Sequence, residues 1–212
     1  YNNFVAWVKK YNPDVCIWCE GESIFSTTGD RLSSSNRPLP SAWASVASRY
    51  GHNYVAKGAD KDNYPQIITS KYNITTIEQI YQTSVADSPV AHGAGHFSVN
   101  FGGTEVSFVS FHAYAQAYHP RCEGKSDEVK AASSALFEGD YHRQHEIKHI
   151  CDNVINASAN SSVTNWLLMG DFNAVSRVDA EHYNNDPNST VWLLHDYLLA
   201  NTNLKDIIAE TQ

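Results

Sequence analysis

Apolar and polar positions follow helical spacing in some stretches of the chain and strand spacing in others. Apolar residues over 4–11 recur with the period of one helix face, and Pro13 closes that helix. A mostly apolar run over residues 14–20 predicts a buried strand that ends in the carboxylate of Glu20. The polar stretch over residues 21–40, rich in serine, threonine and glycine, predicts a long loop.

A β-hairpin is the clearest strand signal farther along the chain. Residues 96–101 and 104–111 have strand character, Gly102-Gly103 supplies the turn, and the return strand leads into His112. Further strands are predicted over residues 52–56, 66–72, 77–82 and 165–169, and further helices over residues 41–50, 127–157 and 191–199. Because strands and helices are interleaved and hairpins occur, we expect mixed sheets covered by helices rather than an all-parallel sheet.

Composition and charge narrow the range of functions. The 212 residues include 15 Lys and Arg against 23 Asp and Glu, which gives a formal net charge of −8. A global basic field for holding nucleic acid is therefore excluded, whereas a local basic patch stays compatible with the sequence. No apolar run approaches the roughly 20 residues of a membrane-spanning helix, and the length suits one large domain or two small ones.

The chain begins with Tyr1, and its only methionine is Met169. We therefore expect that an N-terminal portion has been removed by processing or trimming, so the lack of a visible signal peptide carries no weight. An extracytoplasmic location, periplasmic or secreted, is the expectation. Cys122 and Cys151 could form a disulfide or stay as thiols, and the sequence leaves both states open.

Three predicted strands share one design, an apolar run that ends in a side chain capable of chemistry. These side chains are Glu20, His112 and Asp171. A buried strand fixes its last residue while the following loop exposes it, and α/β proteins place functional groups at such positions. One strand-end carboxylate is ordinarily only solvated, but three such ends, each followed by a polar loop, favour a site.

Asp171 and Asn173 form the sharpest pair in the sequence. They follow the strand over residues 165–169 in the segment Gly170-Asp-Phe-Asn173, and extended geometry would project both side chains from one face. A carboxylate binds a hard cation or accepts a proton from water. An amide beside it donates to an anionic oxygen without adding charge. The pair suits attack on a phosphoester, and an Asx turn at the strand exit is equally compatible.

The segment Gly170-Asp-Phe-Asn173 after a buried strand resembles the hallmark of the endonuclease/exonuclease/phosphatase superfamily. This is the fold of pancreatic-type deoxyribonuclease, abasic-site endonucleases, sphingomyelinases and inositol-polyphosphate 5-phosphatases. Other segments resemble the family's motifs in the family's order and extend the likeness over almost the whole chain: residues 13–20, 66–74, 106–112 and 204–206. Cys19 stands where the family usually has glutamine, a departure that leaves Glu20 in place.

The resemblance implies a four-layer α/β/β/α sandwich of two mixed β-sheets packed face to face, in one domain over residues 1–212. It also implies a metal-dependent phosphoesterase that acts by direct water attack. Glu20 would coordinate the cation, Mg²⁺ with Mn²⁺ or Ca²⁺ as alternatives. Asp171 would help to hold the metal and would orient or deprotonate the attacking water, while Asn173 would donate to a phosphoryl oxygen. His112 would contact the phosphate or assist the leaving group, and a satisfied core histidine is its alternative.

The sequence also departs from the family's pattern. The family has an early strand with an asparagine metal ligand and a late Ser-Asp-His segment, and these 212 residues contain neither. His195-Asp196 lies in a predicted helix, and Asp206 fits a structural position of the family. We therefore expect a domain truncated at both ends, with an inactive relative as the alternative.

The substrate class stays open. A net charge of −8 favours a small phosphorylated metabolite or lipid head group, since duplex binding requires clustered Lys and Arg. A nuclease that cleaves nucleic acid and a non-catalytic binding module are the alternatives, and we expect a monomer. His145 and His149 are spaced as a possible metal pair beside His142 and Glu146, but we expect a solvated helix face there.

Overall fold

The structure, a computed structural model, describes residues 2–21, 41–58, 66–80, 90, 92–115, 139–182 and 186–207. Most of the long loop predicted over residues 21–40 and the first part of the helix predicted over residues 127–157 lie outside these ranges. The chain forms two compact units. The first consists of Tyr1–Tyr81, His92–His112 and Val163–Asp171, and the second of Gln82–Ala91, Ala113–Ser162 and Phe172–Gln212. One domain over residues 1–212 stays a prediction.

In the first unit, two helices pack on a three-stranded sheet. The helices are α1 (Asn2–Tyr11) and α2 (Ser41–Ser48), and the strands are β1 (Val15–Trp18), β2 (Tyr54–Lys57) and β3 (Ile67–Ser70). The strand order is β1-β3-β2, and both pairs are antiparallel. Val5, Val8, Val46 and Ala47 are buried against Trp18 and Val55. This apolar layer holds both helices on the sheet, since fully burying a valine side chain contributes about 1.5–3 kcal/mol.

The first unit also contains a four-stranded mixed sheet. Its strands are β4 (Ile74–Ile80), β5 (Ala94–Phe101), β6 (Thr104–His112) and β7 (Trp166–Asp171), in that order. The pairs β4-β5 and β5-β6 are antiparallel, whereas β6 and β7 are parallel. The predicted hairpin is confirmed with its Gly102-Gly103 turn, and β4 begins earlier than expected, at Ile74.

An apolar core joins the two sheets face to face. Ile68 of the three-stranded sheet packs with Phe97, Val99 and Phe108 of the four-stranded sheet, and all four side chains are buried. The rings of Phe97 and Phe108 are stacked across β5 and β6, with centroids 5.2 Å apart. The predicted α/β sandwich is therefore confirmed, with one mixed sheet and one whose described strands are all antiparallel.

The second unit is built around two helices that pack against each other, α3 (Gly139–Ile150) and α4 (Leu193–Asn201). The helical backbone of α3 continues through a π turn, Cys151–Ile155, in which Cys151 is a buried thiol. Cys122 lies outside the described residues. Within the described ranges, no helix has both the length and the apolar character that crossing a membrane requires.

Polar side chains of α3 bind the chain segment that follows β6. The backbone N–H of Tyr114 donates to the Glu146 carboxylate (3.0 Å), and the Tyr114 carbonyl accepts from the Arg143 guanidinium (2.7 Å). His142 Nε2 lies 3.4 Å from the other oxygen of the same carboxylate. His142 and Glu146 are buried. The expectation of a solvated helix face is therefore wrong for these two residues, because Glu146 satisfies the backbone of another segment and His142 is buried beside it.

The buried hydroxyl of Thr69 joins three side chains in the first unit. Trp18 Nε1 and the Tyr50 hydroxyl each donate to Thr69 Oγ1 (both 3.2 Å), and His52 Nδ1 lies 2.9 Å from it. His52 Nε2 contacts the Pro13 carbonyl at 2.9 Å, so the neutral ring donates there and accepts the Thr69 proton at Nδ1. Burial lowers the pKa of His52 and raises the pKa of Tyr50 to about 12, which keeps both groups neutral.

We expect Thr69→Val to lower the free energy of unfolding by about 3 kcal/mol. Valine has the same shape but leaves the Trp18, Tyr50 and His52 polar atoms without their shared partner inside the fold. Urea unfolding at pH 7 measures the effect. The matched control is Thr75→Val on the exposed part of β4, expected within about 0.5 kcal/mol of the unsubstituted chain. Equal losses in both variants would contradict the role given to Thr69.

Candidate active site

His112 and Asp171 end neighbouring strands at the same edge of the four-stranded sheet. Because β6 and β7 are parallel, their ends coincide, and His112 is the register partner of Asp171. Strand β5 runs antiparallel to β6, so its first residue, Ala94, pairs with Phe111 at this same edge. The segment that leads into β5 therefore also lies beside the two predicted site residues.

The buried side chain of Gln66 places the end of β1 at that edge too. Trp18, the last residue of β1, pairs with Ile67, directly after Gln66. Gln66 Nε2 donates to the carbonyl oxygens of His92 (2.8 Å) and Gly93 (2.9 Å), just before β5. The structure thus brings Glu20, which follows β1, to the edge of the first unit that carries His112 and Asp171.

A turn fixed by a buried hydrogen bond presents Glu20. The residue is exposed and has a left-handed backbone with φ of 53°, uncommon for a side chain of this size. The carbonyl of Gly21, directly after it, accepts from Trp43 Nε1 at 2.8 Å in the interior. The indole of Trp43 is itself stacked on Trp18, with ring centroids 5.9 Å apart. Helix α2 therefore holds the turn that carries this carboxylate.

Close approach of two strands fixes the backbone before Asp171. Gly170 has φ of 148°, and a Cβ atom there would overlap the carbonyl oxygen of Phe111 on β6. Only glycine fits this position, because the backbone conformation is unfavourable for other residues and no room exists for a side chain. Asp171 follows as the last residue of β7, and its side chain is exposed. The glycine of the motif thus allows β7 to pair with β6 up to the carboxylate.

We expect Gly170→Ala to destabilise the chain by about 3 kcal/mol, since it adds backbone strain and a steric overlap at a paired strand. Gly102→Ala is the matched control, because Gly102 also has a positive φ (62°) but open space around the added methyl group. The control is expected to cost about 1 kcal/mol. Guanidinium unfolding curves of both variants measure the difference, and similar costs would contradict the steric explanation.

Asn173, in the second unit, does not have the extended geometry that its spacing from Asp171 suggested. Its backbone is left-handed, with φ of 46°, a conformation that asparagine tolerates better than most residues. Its Nδ2 donates to the carbonyl oxygen of Ala113 at 2.9 Å. The expectation that Asp171 and Asn173 project from one face of an extended segment is therefore wrong, because the backbone of Asn173 is left-handed and not extended.

His112 is buried and contacts a second histidine that the sequence analysis missed. The exposed fraction of His112 is 1%, as its core alternative predicts. Its ring centroid lies 4.7 Å from that of His92, with the planes inclined by 32°, and His92 is only half-buried. A sequence signal for His92 existed: it precedes a strand whose hairpin partner ends in His112, so antiparallel register brings the two residues together.

The donor chemistry at this edge suits a hard cation. Glu20 and Asp171 both offer carboxylate oxygens from exposed positions, and Mg²⁺ typically uses one or two carboxylates while keeping several waters. In the part of the chain that the structure describes, no three or more His, Cys, Asp or Glu side chains are grouped to hold a metal. The same finding gives no support to a metal pair at His145 and His149.

No family model matches the chain, and no curated protein matches it. Solved structures do. An AP endonuclease from Archaeoglobus fulgidus matches at a TM-score of 0.51 with 12% identity, over 92% of this chain and 63% of that one. The human Nocturnin catalytic domain with bound sulfate matches at 0.50 with 14% identity, over 88% and 60%. ANGEL2, a 2',3'-cyclic phosphatase in complex with adenosine-2',3'-vanadate, matches at 0.50 with 9% identity, over 86% and 46%.

These identities are low, so the likeness concerns the fold alone. The chain spans less than two thirds of the length of each of these three structures. All three of these proteins share a sandwich architecture with this chain, and two of them are named for their activities, an AP endonuclease and a 2',3'-cyclic phosphatase. The two sheets packed face to face agree with that likeness. The chain therefore has the fold of the endonuclease/exonuclease/phosphatase superfamily.

Proposed function

We propose that the protein is a phosphoesterase that hydrolyses its substrate by direct attack of water. The observation that carries this proposal is that His112 and Asp171 end neighbouring parallel strands in register, with Glu20 in the turn that follows β1. Two carboxylates and an imidazole supply the groups that this reaction requires: oxygen ligands for a cation, an acceptor for the proton of water, and a donor for the phosphate.

The proposed cofactor is Mg²⁺, with Mn²⁺ or Ca²⁺ as alternatives, held by Glu20 and Asp171. When bound, such an ion neutralises phosphoryl oxygens and the charge that develops on the leaving group. The exposed position of both carboxylates supports this assignment, because a hydrated cation and a substrate can reach them together. The left-handed backbone of Glu20 supports it as well, since strained residues are frequent at functional sites.

The remaining roles follow from the chemistry of the side chains. Asp171 would orient the attacking water and accept its proton, which costs less when the carboxylate is fixed at a strand end. Asn173 would donate to the phosphoryl oxygen without adding negative charge. His112 would donate to the phosphate or assist the leaving group. The Gly21 turn and the Gly170 backbone hold the two carboxylates before any ligand arrives, so little reorganisation accompanies binding.

For the substrate, we propose a small phosphorylated metabolite or a lipid head group. The net charge of −8 supports this choice, because gripping a nucleic-acid backbone relies on clustered cations. Two of the matching structures were solved with oxyanions, sulfate for Nocturnin and a vanadate of adenosine for ANGEL2. A site for a tetrahedral or trigonal oxyanion on this fold is thus consistent with the proposal.

Nucleic-acid cleavage is the second candidate. It is favoured by one observation, the likeness in fold to the AP endonuclease from Archaeoglobus fulgidus. The two candidates differ in their dependence on salt. Binding of a nucleic-acid duplex, and with it the rate of cleavage at low substrate, would fall steeply with added salt, whereas hydrolysis of a small ester would not.

A substrate panel with added Mg²⁺ tests the proposal on the natural protein that contains these residues. The panel consists of p-nitrophenyl phosphate, bis(p-nitrophenyl) phosphate, adenosine 2',3'-cyclic phosphate and a DNA duplex with one abasic site. We expect hydrolysis of a small ester that stops with EDTA and returns with excess Mg²⁺. Turnover that survives EDTA would overturn the metal assignment, and a panel without any turnover would overturn the phosphoesterase.

A further inference from the structure

His92 is an imidazole at the candidate site to which the proposed function gives no role. It lies in the segment that leads into β5, its ring contacts the ring of His112 at 4.7 Å, and it is the more exposed of the two residues. Two imidazoles side by side present more than one N–H donor, and anionic oxygens accept such donors.

A buried hydrogen-bond chain fixes the backbone that carries His92. The N–H of Gly95 donates to Ser110 Oγ (3.1 Å), and Ser110 Oγ donates to Gln66 Oε1 (3.1 Å). Gln66 Nε2 then donates to the carbonyl oxygens of His92 and Gly93. Gln66 and Ser110 are fully buried, and each donor in this hydrogen-bond network meets an acceptor. A satisfied buried network of this kind specifies one arrangement of the atoms it joins.

The network ends next to the imidazole pair on both strands. Gln66 binds the carbonyl of His92 itself, and Ser110 precedes His112 by two residues, on the same face of β6. Backbone positions on both sides of the histidine pair are therefore tied to one amide group. A shift of that amide changes where the two rings stand relative to each other.

We propose that His92 contacts the phosphoryl group together with His112, and that Gln66 is the positioning residue that holds His92 in place. The proposal rests on the proposed function for its substrate, but inorganic phosphate alone probes the binding step. The rings of His92 and His112 are the groups expected to respond to phosphate, and Gln66 acts only through them.

Nuclear magnetic resonance of the histidine rings, at constant pH, tests the contact without turnover. Ring signals are assigned by their loss in His92→Gln and His112→Gln. Added inorganic phosphate is expected to move both signals with one shared apparent Kd, which rises about tenfold in His92→Gln. Phosphate that moves only the His112 signal, or neither signal, would overturn the proposal. An apparent Kd within twofold of the original in His92→Gln would overturn it too.

Gln66→Met tests the positioning role, because methionine keeps the size of the side chain and removes both hydrogen-bond donors. We expect the His92 and His112 ring signals to shift before any phosphate is added, and the Kd for phosphate to rise about tenfold. Ser110→Ala is a second variant, which removes only one hydroxyl group, and the same ring signals should shift in it. His149→Gln, on α3, is the matched control and should leave both signals and the Kd unchanged. Unshifted rings in both network variants would refute the role of Gln66.

Turnover separates this inference from the proposed function. If the protein hydrolyses a small ester and His92→Gln keeps kcat/KM within twofold, the inference fails while the function stands. If the protein hydrolyses nothing but phosphate still moves both rings, the function fails while the inference stands. A drop of about tenfold in kcat/KM for His92→Gln, with unchanged urea unfolding, supports both.

Discussion

Asp171→Asn is expected to lower kcat/KM for the hydrolysed ester by about 10³-fold while the chain stays folded. Asparagine has nearly the shape of aspartate, but its neutral amide neither accepts the proton of the attacking water nor balances the charge of a cation. The side chain is exposed at the end of β7, so its replacement removes little packing. Steady-state kinetics on the ester found in the panel, together with urea unfolding, measure the two effects separately.

An exposed aspartate outside the site gives the control for this variant. Asp179→Asn changes charge by the same amount on a side chain in the second unit and should leave kcat/KM within about twofold. If Asp171→Asn retains more than a tenth of the activity, the carboxylate is not the group that handles the water. A loss of similar size in Asp179→Asn would point to a general effect of net charge.

The strand ends were predictable because each rests on a local pattern. An apolar run with a polar residue after it identifies a buried strand and its exit, and Glu20, His112 and Asp171 lie at such exits in the structure. The hairpin was predictable for the same reason, since Gly102-Gly103 marks its turn and fixes its register. Local periodicity thus located three strand exits that carry candidate site residues, without any knowledge of the tertiary fold.

Gln66 could not be found from local patterns, because its importance depends on contacts between distant segments. The sequence predicts only that Gln66 is the first residue of a strand. The structure shows that its amide binds the carbonyl oxygens of His92 and Gly93, just before β5. The predicted orientation of Asn173 was wrong for another reason. Residues i and i+2 share a face only while the backbone stays extended, and the backbone of Asn173 is left-handed.

Polar residues of α3 show how tertiary contacts override a surface interpretation. His142, Arg143 and Glu146 would be solvated on an isolated helix, and their sequence carries no sign of burial. In the structure they are buried, and Arg143 and Glu146 bind the backbone of Tyr114. Such backbone groups inside a protein require partners, so a charged helix face becomes interior wherever an irregular segment lies on it.

Glu20→Gln is expected to weaken Mg²⁺ binding by at least about 100-fold, because it removes one of the two carboxylates proposed to hold the ion. Isothermal titration with Mg²⁺, or with Mn²⁺ as a spectroscopic substitute, measures the affinity without any substrate. The turn that carries Glu20 supplies a second and more selective variant. Trp43→Phe keeps an aromatic ring against Trp18 but removes the hydrogen bond to the Gly21 carbonyl.

Because that bond fixes the turn, Trp43→Phe should weaken Mg²⁺ binding by about tenfold, the usual effect of losing a partner behind a metal ligand. Trp192→Phe breaks a bond of the same type and length, from Nε1 to the Asp186 carbonyl at 2.8 Å, in the second unit. It should cost similar stability and leave the Mg²⁺ affinity unchanged. Equal affinities in the two tryptophan variants would show that the turn does not orient Glu20. An unchanged affinity in Glu20→Gln would remove this carboxylate from the metal site altogether.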